Sequence, residues 1–545
     1  MSKQWIRIAL GGIGIGLLAT TLFANQFGLD NNPVWGVRRW LAFFLGFFIL
    51  TIALIYRENN FLGHLFHTTT GQMNLAVISL GTVVILVYVW YVSIGLWTTF
   101  PNETSYYDLL ATAFRNGQTH VDVAPDPALV ALENPYEPRT REGIPLLWDA
   151  TLYNGKYYLY WGPAPALALA VFKLFTPQEV GDKVITFLFT VGTFIFAVLL
   201  VLDVWKKYFS NIPRWAVLVG ILFMGLVNPT LYILIEARIY EAAIISGQFF
   251  LLGGLYWFFN AIATPSRSRL ALSGAFLALA VGSRTTLVPA VAFISLLMLF
   301  WVIKTRREQF ISLTLAFALP LVIGAIAYGG YNFSRFGSVT EFGLRHQITS
   351  YNLYESLDET FSPAYIPPNL YKTLFNALEK REIFPYYFPT RWSGPDWLEK
   401  EYPRFYLLLG EGITGILTAS PFLLFAVWAW GKKDKTFRWI LFTLTGVSFM
   451  TFLTLQIFFF TTMRYLLDLI PALSILAVTG FWQGLSQLKD NRLYMVGTAI
   501  AGVSLVAYSI AISFILPISG HMEAFRVFNP ELLKQLSWAF NNLIK

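Results

Sequence analysis

"NLAVISLGTVVILVYVWYVSIGLW" (Asn74–Trp97) leads, after Thr98 and Thr99, into "FPNETSYYDLLATAFRNGQ" (Phe100–Gln118). The first stretch carries no charge, and as a helix its roughly 24 residues exceed the ~30 Å of a hydrocarbon core. The second places Glu103 and Asp108 where the chain leaves that core, between a Pro101-Asn102 corner and the Tyr106-Tyr107 pair. An uncharged span that ends in carboxylates and rings sets the pattern for the rest of the chain.

Of the 545 residues, 56% are hydrophobic and only 13% charged. Apolar runs of spanning length recur, so the chain reads as an all-α polytopic membrane protein. Runs near Ile6–Ala24, Trp40–Tyr56, Asn74–Trp97, Val184–Val204, Trp215–Leu234, Ala242–Ala261, Leu270–Val281, Leu287–Ile303, Phe310–Tyr331, Leu407–Trp430, Trp439–Phe460, Tyr465–Trp482 and Leu493–Leu516 predict about 13 spans. Leu270–Val281 is short and must borrow flanking residues or be re-entrant. The first run follows Lys3 and Arg7 and lacks a convincing cleavage site, so it is read as a retained anchor.

The net charge of +8 does not indicate nucleic acid, because the cations sit in short loops between apolar runs. Reading Ala164–Phe175 as an amphipathic helix in the outer interface, not as a span, aligns the loops. Cations from Lys206 and Lys207 through Arg214, Arg267, Arg269, Lys304, Lys432, Lys435 and Arg492 then share the cytoplasmic side with Lys3, Arg7 and Arg57. Arg38 and Arg39 fall outside, against that rule. The predicted location is the plasma (inner) membrane. There is no cysteine, and the five histidines, His64, His67, His120, His346 and His521, form no ligand pattern.

The same topology predicts two large extracytoplasmic loops, 98–183 and 332–406. Both are rich in Tyr, Trp and Pro, which suits packed layers carrying juxtamembrane helices. Residues 1–73 read as an additional N-terminal pair of spans and 74–485 as a core. Residues 486–545 read as a last span followed by an amphipathic tail helix, "PELLKQLSWAFNNLIK", on the outer surface.

Ionisable residues at span ends are functional candidates because burying them is costly. The outer rim collects Glu103 and Asp108, then Glu236, Arg238 and Glu241 in "IEARIYEAA", Arg284 in "VGSRTT", and Arg464 and Asp468 in "MRYLLDLIP". Arginines suit a phosphate leaving group, and a carboxylate suits activation of an acceptor hydroxyl. Tyr153, Tyr157, Tyr158, Tyr160 and Trp161 suit sugar faces, though an interfacial aromatic belt uses the same residues. Pro101 predicts a fresh helix start, with Asn102 or Thr104 as cap and Glu103 at its positive end.

In their order, these motifs resemble the GT-C superfamily of membrane glycosyltransferases, which includes lipid A aminoarabinose transferases and protein O-mannosyltransferases. "PNETSYYDLLATAFRNGQ" resembles that superfamily's P-D-E-x-x-Y stretch after the first core span. "YNGKYYLYWGPAPALAL" resembles its N-G-x-x-Y-x-K-P-P-L juxtamembrane stretch, and "EARIYEAAIISG" the segment with a second acid. "NFSRFGSVTEFG", with Arg335, and "RYLLDLIPAL", with Arg464 and Tyr465, look like motifs of a bacterial branch.

The resemblance implies inverting transfer of a sugar from a polyprenyl-phosphate donor to an acceptor on the extracytoplasmic side. No cofactor is implied, and fixed cations can replace a metal. Catalytic candidates are Glu103 as base and Glu241 as supporting acid. Substrate-binding candidates are Asn102, Asp108, Lys156, Tyr158, Arg238, Arg284, Arg335, Arg464 and Tyr465. Partners are the lipid-linked donor, membrane lipids and an acceptor that is a protein, glycan or lipid. Two departures stand out. Asn102 occupies the first acidic position, and Gly162 replaces the lysine of K-P-P-L, leaving Lys156 as the nearest cation. The alternatives are a transporter or flippase using the rim charges as a gate, or a non-catalytic partner in polysaccharide assembly.

Overall fold

The computed structural model describes residues 3–30, 32, 35–55, 69–175, 178–399, 402, 406–431, 434–520 and 523–544. Arg57, His64, His67, Lys432 and His521, named above, lie outside the described residues, as do the side chains of Lys3 and Arg7. Among the described residues, seven helices are long and apolar enough to cross a membrane. They are Thr69–Val92, Asp182–Tyr208, Ile239–Ala263, Thr285–Thr305, Arg307–Phe336, Lys435–Gln456 and Arg492–Ile515.

The other expected runs take different forms. Lys3–Leu22 and Val37–Ile55 make a helical hairpin, packed so closely that a Cβ on Gly14 would collide with the Leu50 backbone. Arg39 is buried in its turn and donates to the carbonyls of Thr21 at 3.1 Å and Asn32 at 3.0 Å. Those bonds give a local reason for a cation on this side. Trp215–Leu234 is broken into Arg214–Leu226 and Thr230–Ile235 at Pro229, which has no N–H to continue the ladder. Leu270–Val281 lies in a helix of 17 residues, Arg267–Ser283, about 25 Å long. Leu407–Trp430 forms no long α-helix. It yields Ile416–Ala419 and an 11-residue 3-10 segment, Pro421–Gly431, about 22 Å long. Tyr465–Trp482 becomes a 3-10 turn, Met463–Asp468, followed by Ile470–Gln487.

Side-chain contacts fix which helix ends lie together. Arg214 reaches Gln72, Arg269 reaches the Asn260 carbonyl, and Tyr208 and Phe437 pack ring on ring. Phe209 packs on Trp482 and Phe300 on Trp439. These contacts gather the lysine- and arginine-rich loops at one end of the bundle.

The opposite end carries the two long loops as a packed layer with its own core, including Tyr107, Leu110, Val121, Leu152, Tyr157 and Ile348. In the first loop, β1 (Thr151–Tyr153) pairs antiparallel with β2 (Lys156–Tyr158). The turn is Asn154-Gly155, with φ of 49° and 69°, the left-handed geometry that Asn-Gly favours. In the second loop, β3 (Leu378–Lys380) pairs with β4 (Tyr387–Pro389). The loops are stitched to each other. Asp149 N–H donates to the Ile348 carbonyl at 2.8 Å, Ile348 N–H to the Ala150 carbonyl at 2.9 Å, and Thr151 bridges Gln347.

Ala164–Phe172 is a nine-residue helix, as its length requires. It is not amphipathic: its buried side carries Ala166 and Leu169, and its exposed side is Leu167, Val171 and Phe172. The tail forms the helix Pro530–Ile544, tied to the loop end where Asn529 donates to the Ile94 carbonyl.

Candidate functional site

The helix Ile239–Ala263 starts where Arg238 turns extended, at φ −120° and ψ −170°. Glu241, at the third helical position, accepts the Arg238 N–H at 3.0 Å, filling one donor that a helix start leaves open. Its other oxygen lies 3.8 Å from Arg464 Nε. Arg238 in turn meets Glu103, Nε to Oε2 at 2.8 Å. One helix start thus holds an acid and a cation at the loop end of the bundle.

The 3-10 turn Met463–Asp468 supplies the next pair. Arg464 grips Glu411 with both terminal nitrogens, Nη1–Oε2 at 2.6 Å and Nη2–Oε1 at 3.0 Å. Its guanidinium lies 5.0 Å from the Tyr240 ring centroid and 5.6 Å from that of Tyr465. Arg284, just past the end of Arg267–Ser283, contacts Asp468 Oδ2 at 2.9 Å and lies 5.2 Å from the Tyr465 ring. Gln248 donates to the Asp468 carbonyl at 3.2 Å. Arg464 and Arg284 are each held by a carboxylate and an aromatic face, which fixes the guanidinium while leaving donors available.

Arg238, Tyr240, Glu241, Arg284, Glu411, Arg464 and Tyr465 line a cavity of about 480 Å³ between the bundle and the loop layer. One part is polar, with Asp149, Glu236, Arg238, Tyr240, Glu241, Arg284, Glu411 and Arg464. Another is apolar and aromatic, with Phe361, Leu407, Phe458, Phe459 and Phe460, and Trp148, Tyr160 and Trp161 line the first-loop side. Tyr240 donates its phenol to Asp149. Burial pushes the Asp149 carboxyl above the usual aspartate range, opposed by the Thr349 and Tyr240 hydroxyls and the charges of Arg464 and Arg141.

Of the catalytic and substrate-binding candidates, Arg238, Glu241, Arg284, Arg464 and Tyr465 line this cavity and the others do not, while Glu236, Tyr160 and Trp161, also marked in the sequence, line it too. Glu103 backs Arg238 from outside the lining. Asn102 is exposed, donates to Ser105 at 2.7 Å and packs on Gly181. Asp108 is buried elsewhere, bound to Lys173 Nζ at 2.6 Å and to the Val180 N–H at 3.0 Å, so it ties the loop together. Lys156 is exposed on the β1–β2 hairpin, and Tyr158 is buried against Phe336 and His120. Arg335 donates to the Leu159 carbonyl at 2.6 Å and to Asn332 at 2.7 Å, fastening the first loop to the helix end.

The expected cap at Pro101–Thr104 is also corrected. The short helix is Tyr106–Arg115, and its first N–H groups are taken by Asp182, at 2.9 Å from Tyr106 N and 3.1 Å from Tyr107 N. The anion at that positive end is therefore Asp182 and not Glu103. Gly162, which stands where a lysine was expected, lines the cavity so close to Arg267–Ser283 that a Cβ would collide with the Gly282 carbonyl.

Asp149, Tyr240 and Glu411 were not singled out from the sequence. Glu411 lies in "LLGEGIT" at the start of a presumed span, where a rim acid is legible in principle. Asp149 sits mid-loop in "LLWDATLYNG" with no periodicity to mark it. Among the described residues, no group of three or more His, Cys, Asp or Glu could hold a metal ion.

No protein-family model matches the chain, and no curated protein matches it. Solved structures do. The apo oligosaccharyltransferase of Archaeoglobus fulgidus is similar over 82% of this chain and 56% of its own, at 10% identity and a TM-score of 0.47. AglB of that organism, in complex with an inhibitory peptide and a dolichol-phosphate, is similar over 81% of this chain and 55% of its own, at 11% identity and a TM-score of 0.43. ArnT from Cupriavidus metallidurans, bound to undecaprenyl phosphate, is similar over 84% of this chain and 78% of its own, at 12% identity and a TM-score of 0.43. This chain spans just over half the length of the archaeal proteins it matches.

Proposed function

We propose that the chain is a membrane glycosyltransferase that moves a sugar from a polyprenyl-phosphate donor to an acceptor at the loop end of the bundle, on the extracytoplasmic side. The observation that carries the reading is the convergence of Arg238, Arg284 and Arg464 on one cavity that is aromatic on another wall. When a sugar leaves a phosphate, negative charge grows on the leaving oxygen. Fixed guanidinium groups in a partly dry site stabilise that charge without reorganising. Arg464 and Arg284 are pre-aimed by Glu411 and Asp468, and Arg238 by Glu103. The rings of Trp148, Tyr160 and Trp161 offer apolar faces to a sugar, and the phenylalanine-lined wall accepts the first isoprene units. Inversion at the anomeric carbon follows if the acceptor attacks opposite the phosphate.

Binding of undecaprenyl phosphate to the full chain in lipid nanodiscs tests the reading. Arg284→Ala should weaken binding about tenfold or more, the worth of one charge-assisted bond. Lys534→Ala, on the exposed tail helix, should leave it unchanged. Equal affinity in the wild type and Arg284→Ala, with both chains folded, sinks the lipid-phosphate assignment.

A further inference from the structure

We infer that Asp149 is the base that takes the proton of the acceptor hydroxyl, an assignment that rests on the glycosyltransferase reading above. Four observations meet at this residue. Asp149 lines the cavity that holds the three arginines. Its relative exposure is only 7%, and among the described residues its Oδ1 has no hydrogen-bond partner of normal geometry. Its other oxygen accepts the Tyr240 phenol and the Thr349 hydroxyl lies beside the carboxyl, so Oδ1 retains room to accept a further hydroxyl. Its backbone sits at φ +59°, a left-handed conformation unusual outside glycine, held by its N–H bond to Ile348 across the two loops. A buried carboxylate oxygen without a donor is normally avoided, so its place at a cavity wall invites a hydroxyl from a substrate.

The competing acids are occupied. Glu241 takes the Arg238 N–H and faces Arg464, Glu411 is gripped by the Arg464 fork, Glu236 interacts electrostatically with the buried Lys183, and Glu103 is paired outside the cavity lining. A carboxylate already matched by a guanidinium is a weaker base than one facing only hydroxyls at close range. In the step, the acceptor O–H proton passes to Asp149 Oδ1 as the acceptor oxygen bonds the anomeric carbon. The bond from that carbon to the phosphate oxygen breaks, and its electron pair leaves with the phosphate toward the arginines. The acceptor is thereby assigned as a hydroxyl compound. Tyr240 positions the carboxylate through Oδ2 and touches no reacting atom.

The test uses membranes carrying the full chain, whose own glycans, lipids and proteins supply hydroxyl acceptors, and a panel of undecaprenyl-phosphate-linked hexoses and pentoses, with release of undecaprenyl phosphate as the readout. Asp149→Asn should lower release about a hundredfold or more while undecaprenyl phosphate binding stays within about twofold of wild type. Asp149→Glu should recover part of the rate. An Asp149→Asn chain that binds undecaprenyl phosphate and releases it at more than about a third of the wild-type rate overturns the assignment, most directly if Glu241→Gln abolishes release. No release by the wild type from any donor in the panel sinks the transfer reading itself, whatever Asp149 does. Loss of undecaprenyl phosphate binding together with activity in Asp149→Asn would make the residue structural and overturn its role as base.

Discussion

Arg464 shows how one side chain serves both fold and site. It faces Glu411 and Glu241 and lies over two tyrosine rings, with 14% of its side chain exposed. An ammonium cannot reproduce that fork. Arg464→Lys should lose about 1.5–3 kcal/mol of Glu411 and phosphate interaction, read as a lower melting temperature and weaker undecaprenyl phosphate binding. Glu411→Gln should recover none of that binding if phosphate, rather than Glu411, is what the guanidinium needs.

Lys372 gives a second test at this scale. It is fully buried, and its Nζ donates to the Leu408 carbonyl at 2.9 Å. Burial lowers its pKa from the usual 10.5 to about 8, with Glu411 opposing. The folded state therefore holds its proton less tightly than the unfolded chain. The strain of a buried charge is fully present below pH 8, so stability at this residue rises as pH climbs from about 8 toward 10.5. Lys372→Met should flatten that rise in melting temperature over this window. An unchanged pH profile would show that the lysine is solvated.

Among the elements, the short helix Tyr106–Arg115 depends on a residue far away in the chain. Asp182 takes its first two N–H groups and the Thr104 hydroxyl, at 2.7 Å. Asp182→Ala should destabilise the first-loop layer by about 1–3 kcal/mol by leaving buried donors unmet, seen as faster proteolysis of that layer. Gly162 makes the other element-scale point. Gly162→Ala must push the loop off Arg267–Ser283, which precedes Arg284, at about 1–3 kcal/mol. Undecaprenyl phosphate binding should fall with it, and unaltered binding would mean that the loop gives way without moving the arginine. The resemblance flagged this position as a missing lysine. Only the close approach explains why no side chain is tolerated.

For the whole molecule, helix-end contacts place the lysine-rich loops at one end and the arginine–carboxylate cavity at the other. A membrane-impermeant amine reagent added outside intact cells should label Lys156, which is exposed, and spare Lys206 and Lys207. Lys372 cannot report on topology because it is buried. Labelling of Lys156 only from the cytoplasmic side would reverse the orientation. The sequence by itself determined the apolar runs, the end that carries the cations and the arginines at span termini. Hydrophobic length and charge asymmetry are local properties, legible residue by residue. The break at Pro229 follows from proline's missing N–H and is legible locally, whereas only the tertiary structure shows that Leu407–Trp430 yields the 3-10 segment Pro421–Gly431 in place of a long helix. Tertiary structure also sent Asp108 into a buried ion pair, turned Glu103 to the back of Arg238, and brought Asp149 and Glu411 to the cavity. A carboxylate's partner is chosen by the fold, from loops some two hundred residues apart such as those of Asp149 and Ile348, and no spacing rule in one chain encodes that distance.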